Sequence, residues 1–196
     1  MKILGISASP KKNDSTTLFA LKKVLEAAEN EGVETQLLDL SHYKINGCVD
    51  CGYCRNTLDC SQKDDFQKEI INILKDPEIG GIVYASPVYF GGITSQMKAL
   101  IDRSVMFRRN GFMFEDKFAG VLTVGRSRNG GQELAAMDLI KNALIQGMVV
   151  LPDASPTSHF GALLHSGHTD GIENDKMGLD TAVNLGKKMA NFVKKN

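Results

Sequence analysis

What this chain lacks narrows its reading first. Lysine plus arginine equals aspartate plus glutamate, 23 each, so there is no excess of one sign to attract nucleic acid or an anionic membrane surface. No apolar run is long enough to span a bilayer, and Met1-Lys2-Ile3-Leu4-Gly5 runs straight into a strand pattern with no signal peptide before it. Those absences predict a cytoplasmic protein without a membrane or nucleic-acid partner. Neither G-x-G-x-x-G nor G-x4-G-K-[ST] follows the first strand, which argues against a dinucleotide fold and a P-loop. Cysteine is missing everywhere except one short window, so there is no distant second pair of the kind zinc knuckles use.

Within that window stand Cys48, Cys51, Cys54 and Cys60, spaced C-x2-C-x2-C-x5-C. A thiolate at every third position lets one short turn of chain present three sulfurs around a common centre, and the fourth closes the site after a longer step. With no export signal, clustered thiols read as metal ligands rather than disulfides. Four thiolates in a compact run fit a [4Fe–4S] cluster. Structural zinc and a redox dithiol remain open on spacing alone.

At 196 residues the sequence reads as one domain, 1–196, with a cluster-binding loop at 41–63. Apolar runs at Ile3–Ile6, Gly80–Ala85, Phe118–Gly125 and Met148–Leu151, and an alternating stretch at Val33–Leu40, read as strands. Helical spacing marks Thr16–Asn30, Asp64–Lys75, Thr94–Arg103, Gln132–Gln146 and Asp175–Lys195. Buried strands separated by helices predict an α/β, flavodoxin-like, doubly wound five-stranded parallel sheet of order 2-1-3-4-5, with the cysteine loop after strand 2. The segments Asn110–Lys117 and Pro152–Asn174 read as mobile insertions.

In such a sheet ligands bind where the strand order reverses, between strands 1 and 3. The loop after strand 1 carries Ser7, Ser9, Lys11, Asn13, Ser15, Thr16 and Thr17 and opens a helix, a setting that suits a phosphate; the plainer reading makes Ser15 only a helix cap. The loop after strand 3, with Pro87, Val88, Tyr89, Phe90 and Gly91, offers aromatic faces to a planar ring, or else covers the sheet edge. The loop after strand 4, from Gly125 through Ser127 to Gly131, offers amide donors to a pyrimidine edge. The conjunction describes FMN.

Ser7-x-Ser9-Pro10-Lys11, Ser86-Pro87-Val88-Tyr89, Lys98-Ala99-Leu100-Ile101-Asp102-Arg103 and the cysteine run resemble the NADPH-dependent FMN reductase-like superfamily, and within it the iron–sulfur flavoproteins. The likeness extends to about Gly161. It implies a flavin-dependent oxidoreductase or electron-transfer protein, with one FMN and one [4Fe–4S] cluster per subunit. It also implies a homo-oligomer, dimer or tetramer, that takes electrons from a ferredoxin-type donor. Carried over by position, Cys48, Cys51, Cys54 and Cys60 would ligate the cluster, the residues from Ser7 to Thr17 hold the FMN phosphate, and Pro87 to Gly91 the isoalloxazine. Lys11 stands where arginine is common and supplies charge without a bidentate fork. No residue is expected to act as acid, base or nucleophile. Two alternatives stand beside this reading: an NAD(P)H-dependent flavin or quinone reductase with the cysteine loop auxiliary, and a non-catalytic redox sensor with a zinc or labile cluster site.

Other features read more plainly. His165, His168 and Asp170 could ligate a metal, but sit in a glycine-rich stretch that reads better as a solvated loop; Arg103, Arg108 and Arg109 could face an anionic partner or a neighbouring subunit, but read better as helix-end charges that are solvated or paired locally. The cysteine loop leaves an edge strand, which predicts that it swings outward, where a partner subunit would cover it.

Overall fold

The computed structural model describes residues 1–169 and 171–195. Its centre is a parallel sheet built from β1 (Lys2–Ser7), β2 (Glu34–Asp39), β3 (Ile79–Pro87), β4 (Phe118–Gly125) and β5 (Val149–Val150), in the order β2-β1-β3-β4-β5. A further strand, β6 (Ala162–His165), also pairs parallel with β4. The predicted order holds, and the topology places the switch point between β1 and β3.

Alternation along the strands divides the core between two faces. Ile3, Val83, Ala85 and Leu122 point to one face, under α1 (Thr16–Asn30) and α6 (Lys176–Val193). Leu4, Ile6, Ile82, Tyr84 and Val121 point to the other, under α2 (Ile71–Leu74), α3 (Ser95–Arg103), α4 (Val105–Arg109) and α5 (Gln132–Ile145). The central strands β1, β3 and β4 are buried almost throughout because both faces are covered, whereas the edge strand β2 is largely polar and partly exposed. Among the described residues no helix is long and apolar enough to cross a membrane.

Four local expectations need correction. The fifth strand position is filled in two pieces: β5 pairs with Phe118 and Ala119, and β6 with Leu122 to Gly125 further along β4. Pro152–Asn174 is therefore not a plain insertion, since it contains β6 and a 3-10 turn at Ile172–Asn174. The helix expected over Asp64–Lys75 is a π turn at Phe66–Ile70 running into α2, with Phe66, Ile70 and Leu74 buried. Asn110–Lys117 is tied down: Phe114 is buried and stacks on Phe107 at 4.8 Å between ring centres, and the Asp116 N–H donates to the Gly147 carbonyl.

Candidate functional site

The carboxyl ends of β1, β3 and β4 carry the three loops singled out in the sequence. Beyond Ser7 the ladder runs one residue further, the Ala8 N–H donating to the Ala85 carbonyl at 2.9 Å. Ser7 Oγ is buried and has no hydrogen-bond partner among the described residues, an orphan that an acceptor or donor from a ligand would satisfy. Ser9, also buried, accepts from the Lys11 N–H at 3.3 Å, while Lys11 and Asn13 are exposed. Ser15 caps α1, its Oγ accepting from the Leu18 N–H at 3.1 Å, so the capping reading of its hydroxyl is correct. The first turn of α1 holds no acidic residue, and Thr16 and Thr17 begin it. Their N–H groups lie where a helix has no internal acceptors and a partial positive charge. The combination suits an anion.

After β3, Tyr89 and Gly92 exchange backbone hydrogen bonds at 2.9 and 3.0 Å around a turn whose central residues, Phe90 and Gly91, have φ of 49° and 78°. Two successive left-handed residues make a type I′ turn. Phe90 stands fully exposed at its tip and Tyr89 is half exposed, so neither ring covers the sheet edge. Pro87 and Val88 stay beside β4, the Val88 N–H donating to the Val124 carbonyl. After β4, the chain from Gly125 folds around the side chain of Gln132, whose Oε1 accepts from the Gly130 N–H and whose Nε2 donates to the Ser127 carbonyl. Ser127 itself is exposed. The two loops meet at glycines: a Cβ on Gly131, with φ 104°, would lie 2.8 Å from the Gly91 Cα. The sequence-predicted residues of all three loops thus converge on one edge of the sheet.

The cysteine loop is built differently. It does not project from the edge strand; it turns back over the α3–α4 side of its own sheet, with Leu58 and half-buried Cys54 and Cys60 packed against that core. Left-handed backbone at Asp50 and Gly52 reverses the chain between the first thiols, and all four cysteines line one small hollow with Arg103, Val105, Met106 and Arg109. Cys48 and Cys51 are exposed. The Ser61 hydroxyl lies 3.0 Å from the Cys51 Sγ and draws that thiol below its ordinary pKa. Arg103 Nη2 donates to the Cys60 Sγ at 3.1 Å and Arg109 Nη1 to the Cys54 Sγ at 3.2 Å. The Asn110 amide donates to the Cys54 and Thr57 carbonyls.

Arg103 is the residue whose role the sequence reading missed. It is 2 % exposed rather than solvated, ion-paired to Asp64, and stacked on Phe66 with its Cζ 4.3 Å from the ring centre. Burial works against its charge, but the bonds to Asp64 and Cys60 outweigh burial and hold its pKa above the usual value. Burial likewise pushes the Asp64 carboxyl up, and the bonds from Arg103 and the Asn46 N–H bring it below the ordinary range. The signal was present in the helical phase, since Met97, Leu100 and Arg103 share the inward face of α3. Arg108 lies over Phe112, a local partner.

His165 and His168 meet edge to face, 4.7 Å between ring centres, and Asp170 lies outside the described residues. Among the described residues, no three His, Cys, Asp or Glu side chains converge closely enough to hold a single metal ion.

The sequence profile of the NADPH-dependent FMN reductase family matches residues 1–162. An iron–sulfur flavoprotein of Methanocaldococcus jannaschii is 41% identical over 194 residues, covering 99% of this chain and 98% of that one. An iron–sulfur flavoprotein of Methanosarcina thermophila is 36% identical, over 98% of this chain and 95% of its own. The similarity therefore continues beyond Gly161, where the motifs stop. The crystal structure of a flavodoxin, WrbA-like protein from Agrobacterium tumefaciens superposes with a TM-score of 0.64 at 18% identity, over 99% of this chain and 97% of that one, and shares the fold. Three converging loops at a flavodoxin-like switch point, four thiols around one hollow and relatives alike along their whole length lead to one assignment: the chain belongs to the iron–sulfur flavoproteins of the NADPH-dependent FMN reductase family, as a flavin-dependent oxidoreductase or electron-transfer protein.

Proposed function

We propose that the chain holds FMN at the switch point and a [4Fe–4S] cluster on Cys48, Cys51, Cys54 and Cys60, and passes electrons between a ferredoxin-type donor and an acceptor in the cytoplasm. The observation that carries this reading is the cysteine hollow: all four cysteines line it with Arg103 and Arg109, each guanidinium donates to a sulfur, and the buried Nε of Arg103 has no hydrogen-bond partner among the described residues. Such a site suits a polyanionic centre with several sulfur acceptors. Zinc would need its sulfurs about 2.3 Å from one ion, whereas a cubane seats each thiolate on its own iron. At the other site the orphaned Ser7 hydroxyl and the open first turn of α1 favour a phosphorylated ligand.

Bound there, the two groups supply the chemistry, FMN handling electron pairs and the cluster single electrons. The residues of the chain bind, orient and shield. Ser9, Lys11, Asn13, Thr16 and Thr17 would hold the phosphate through hydroxyl, amide and charge, with Ser7 beneath them and Ser15 fixing the helix start. Pro87, Val88, Tyr89, Phe90 and Gly91 would border the isoalloxazine, and Gly125 and Ser127 the pyrimidine edge. The short hydroxyl-rich loop favours FMN over FAD. Cys48, Cys51, Val49 and Tyr53 are all exposed, which favours a homo-oligomer in which a second subunit covers the cysteine loop and the cluster of one subunit faces the FMN of another. A monomer by sedimentation with full cluster-to-flavin transfer would overturn that assembly.

The deciding experiment is an anaerobic visible spectrum with iron, sulfide and released-flavin assays; FMN with four iron and four sulfide per chain is expected, whereas FAD, zinc or no metal would refute the reading. The match to an NADPH-dependent reductase family supports a second reading, in which NAD(P)H reduces the flavin to serve quinones or other small acceptors and the cysteine loop is auxiliary. Stopped-flow reduction by NADPH against reduced ferredoxin separates the two.

A further inference from the structure

Two guanidiniums reach the cysteine sulfurs from one stretch of chain, in different settings. Arg109 is exposed and touches Cys54 from the solvent side. Arg103 is buried and held at both terminal nitrogens and one face: Nη2 on the Cys60 Sγ, Nη1 on the Asp64 carboxylate and the Asn46 carbonyl, and the Phe66 ring against its plane. Asp64 is held in turn, accepting from the Asn46 N–H at 2.8 Å.

The loop has anchors enough without the positive charge. Asp65 receives the Lys44 N–H, Gln62 donates to the Gly47 carbonyl, and Asn110 holds Cys54 and Thr57. Burying an ion pair is costly, and an apolar or neutral group of similar shape stabilises a fold as well or better. What the guanidinium adds is a charge-assisted donor at a sulfur, in surroundings where water screens little.

We propose that Arg103 sets the electron affinity of the metal centre, as a positioning residue acting through Cys60, and that Asp64 sets how much of its charge the centre feels. The inference rests on the cluster reading above. When a thiolate-ligated cluster takes up one electron from a reductant, no bond forms or breaks and no proton is required; negative charge on the centre and its sulfurs rises by one. Hydrogen bonds to the sulfurs and nearby positive charge favour that reduced form. Removing the Arg103 charge lowers the midpoint potential. Removing the Asp64 charge while leaving an oxygen to accept the same bonds raises it. A purely structural role for the pair would not give shifts of opposite sign.

The test is an anaerobic dithionite titration of the holoprotein, with the cluster followed by EPR, the flavin by its visible spectrum, and iron and sulfide assayed for each variant. Arg103→Gln is expected to shift the reduced-to-oxidised ratio of the cluster about tenfold toward oxidised, ~59 mV for one electron. Asp64→Asn shifts it the other way, and Arg109→Gln shifts it less than Arg103→Gln, in the same direction, because water screens that contact. The flavin potential stays put. If Arg103→Gln fails to fold with Asp64 left unpaired, Arg103→Gln/Asp64→Asn compared with Asp64→Asn alone isolates the same effect. Intact clusters with equal potentials in all variants, or shifts of one sign, would overturn the role of Arg103. Wild-type protein that takes up no iron and sulfide would overturn the cluster reading, and this one with it.

Discussion

Thr94 Oγ1 donates a 2.9 Å hydrogen bond to the Ala8 carbonyl, joining two loops 86 residues apart in sequence. The same oxygen accepts from the Met97 N–H as the cap of α3, and the Thr94 N–H donates to Ser86 Oγ. One buried side chain thus fixes the spacing of the β1 and β3 loops across the switch point.

Thr94→Val keeps the shape and removes both side-chain bonds. We expect a loss of about 1–3 kcal/mol of stability by urea denaturation, the sum of a lost cap and an unsatisfied buried carbonyl. Flavin should dissociate faster. Thr94→Ser should restore both, and a Thr94→Val protein with wild-type stability would refute the clasp.

Gly131→Ala tests the contact between the β3 and β4 loops. The new methyl would lie 2.8 Å from the Gly91 Cα, a backbone atom, at a φ that disfavours side chains. Strain on the order of 1–3 kcal/mol is expected, with FMN affinity reduced about tenfold or more in equilibrium dialysis. Gly32→Ala is the control, also at positive φ but with open space around it; it should cost backbone strain and leave FMN affinity unchanged.

Cys51→Ser separates the two sites. Its thiol lies on the cysteine loop, and the FMN residues lie on three others, so cluster absorbance should vanish while FMN remains stoichiometric by released-flavin fluorescence. Loss of both cofactors from a folded variant would show the sites to be interdependent.

The sheet and the helices over it were legible in the sequence because the central strands β1, β3 and β4 are apolar runs covered on both faces, and the long helices repeat their apolar residues every three to four positions. What escaped reading depends on tertiary contact. Ala162-Leu163-Leu164-His165 is too short to announce a strand, and it becomes one only because β4 extends past the end of β5. Nothing in Phe66–Ile70 signals a wide turn. Phe114 reads as part of a mobile insertion until it meets Phe107. At the site, the loop positions and thiols were readable from spacing, whereas the approach of Arg103 to Cys60 spans 43 residues and needed the fold.

Lys117 offers a pH test away from both cofactors. Its ammonium is half buried, donating to the Ile79 carbonyl, and burial lowers its pKa despite nearby Asp76. Between that lowered value and the ordinary ~10.4 the unfolded chain holds the extra proton, so stability rises with pH through this window. The penalty is fully present below the folded pKa. Lys117→Met should flatten the rise: the difference in denaturation midpoint between wild type and variant, measured from pH 8 upward, should drift in favour of wild type. A pH-independent difference would contradict the buried ammonium.

Between Leu151 and Ala162 the chain leaves the slot beside β4 and then returns to it. The excursion closes on itself, the carboxylate of fully buried Asp153 accepting from the Thr157 hydroxyl and the His159 N–H, and Asn184 of α6 pins it by donating to Thr157 at 3.0 Å. The alignment of β6 rests on its own ladder with β4, Leu122 to Gly125 against Ala162 to His165, while the anchored part of the detour holds its base. Only Ser158, His159 and Phe160 stand exposed in a row between those two fixtures, so that short tip is where added length would disturb the fewest contacts.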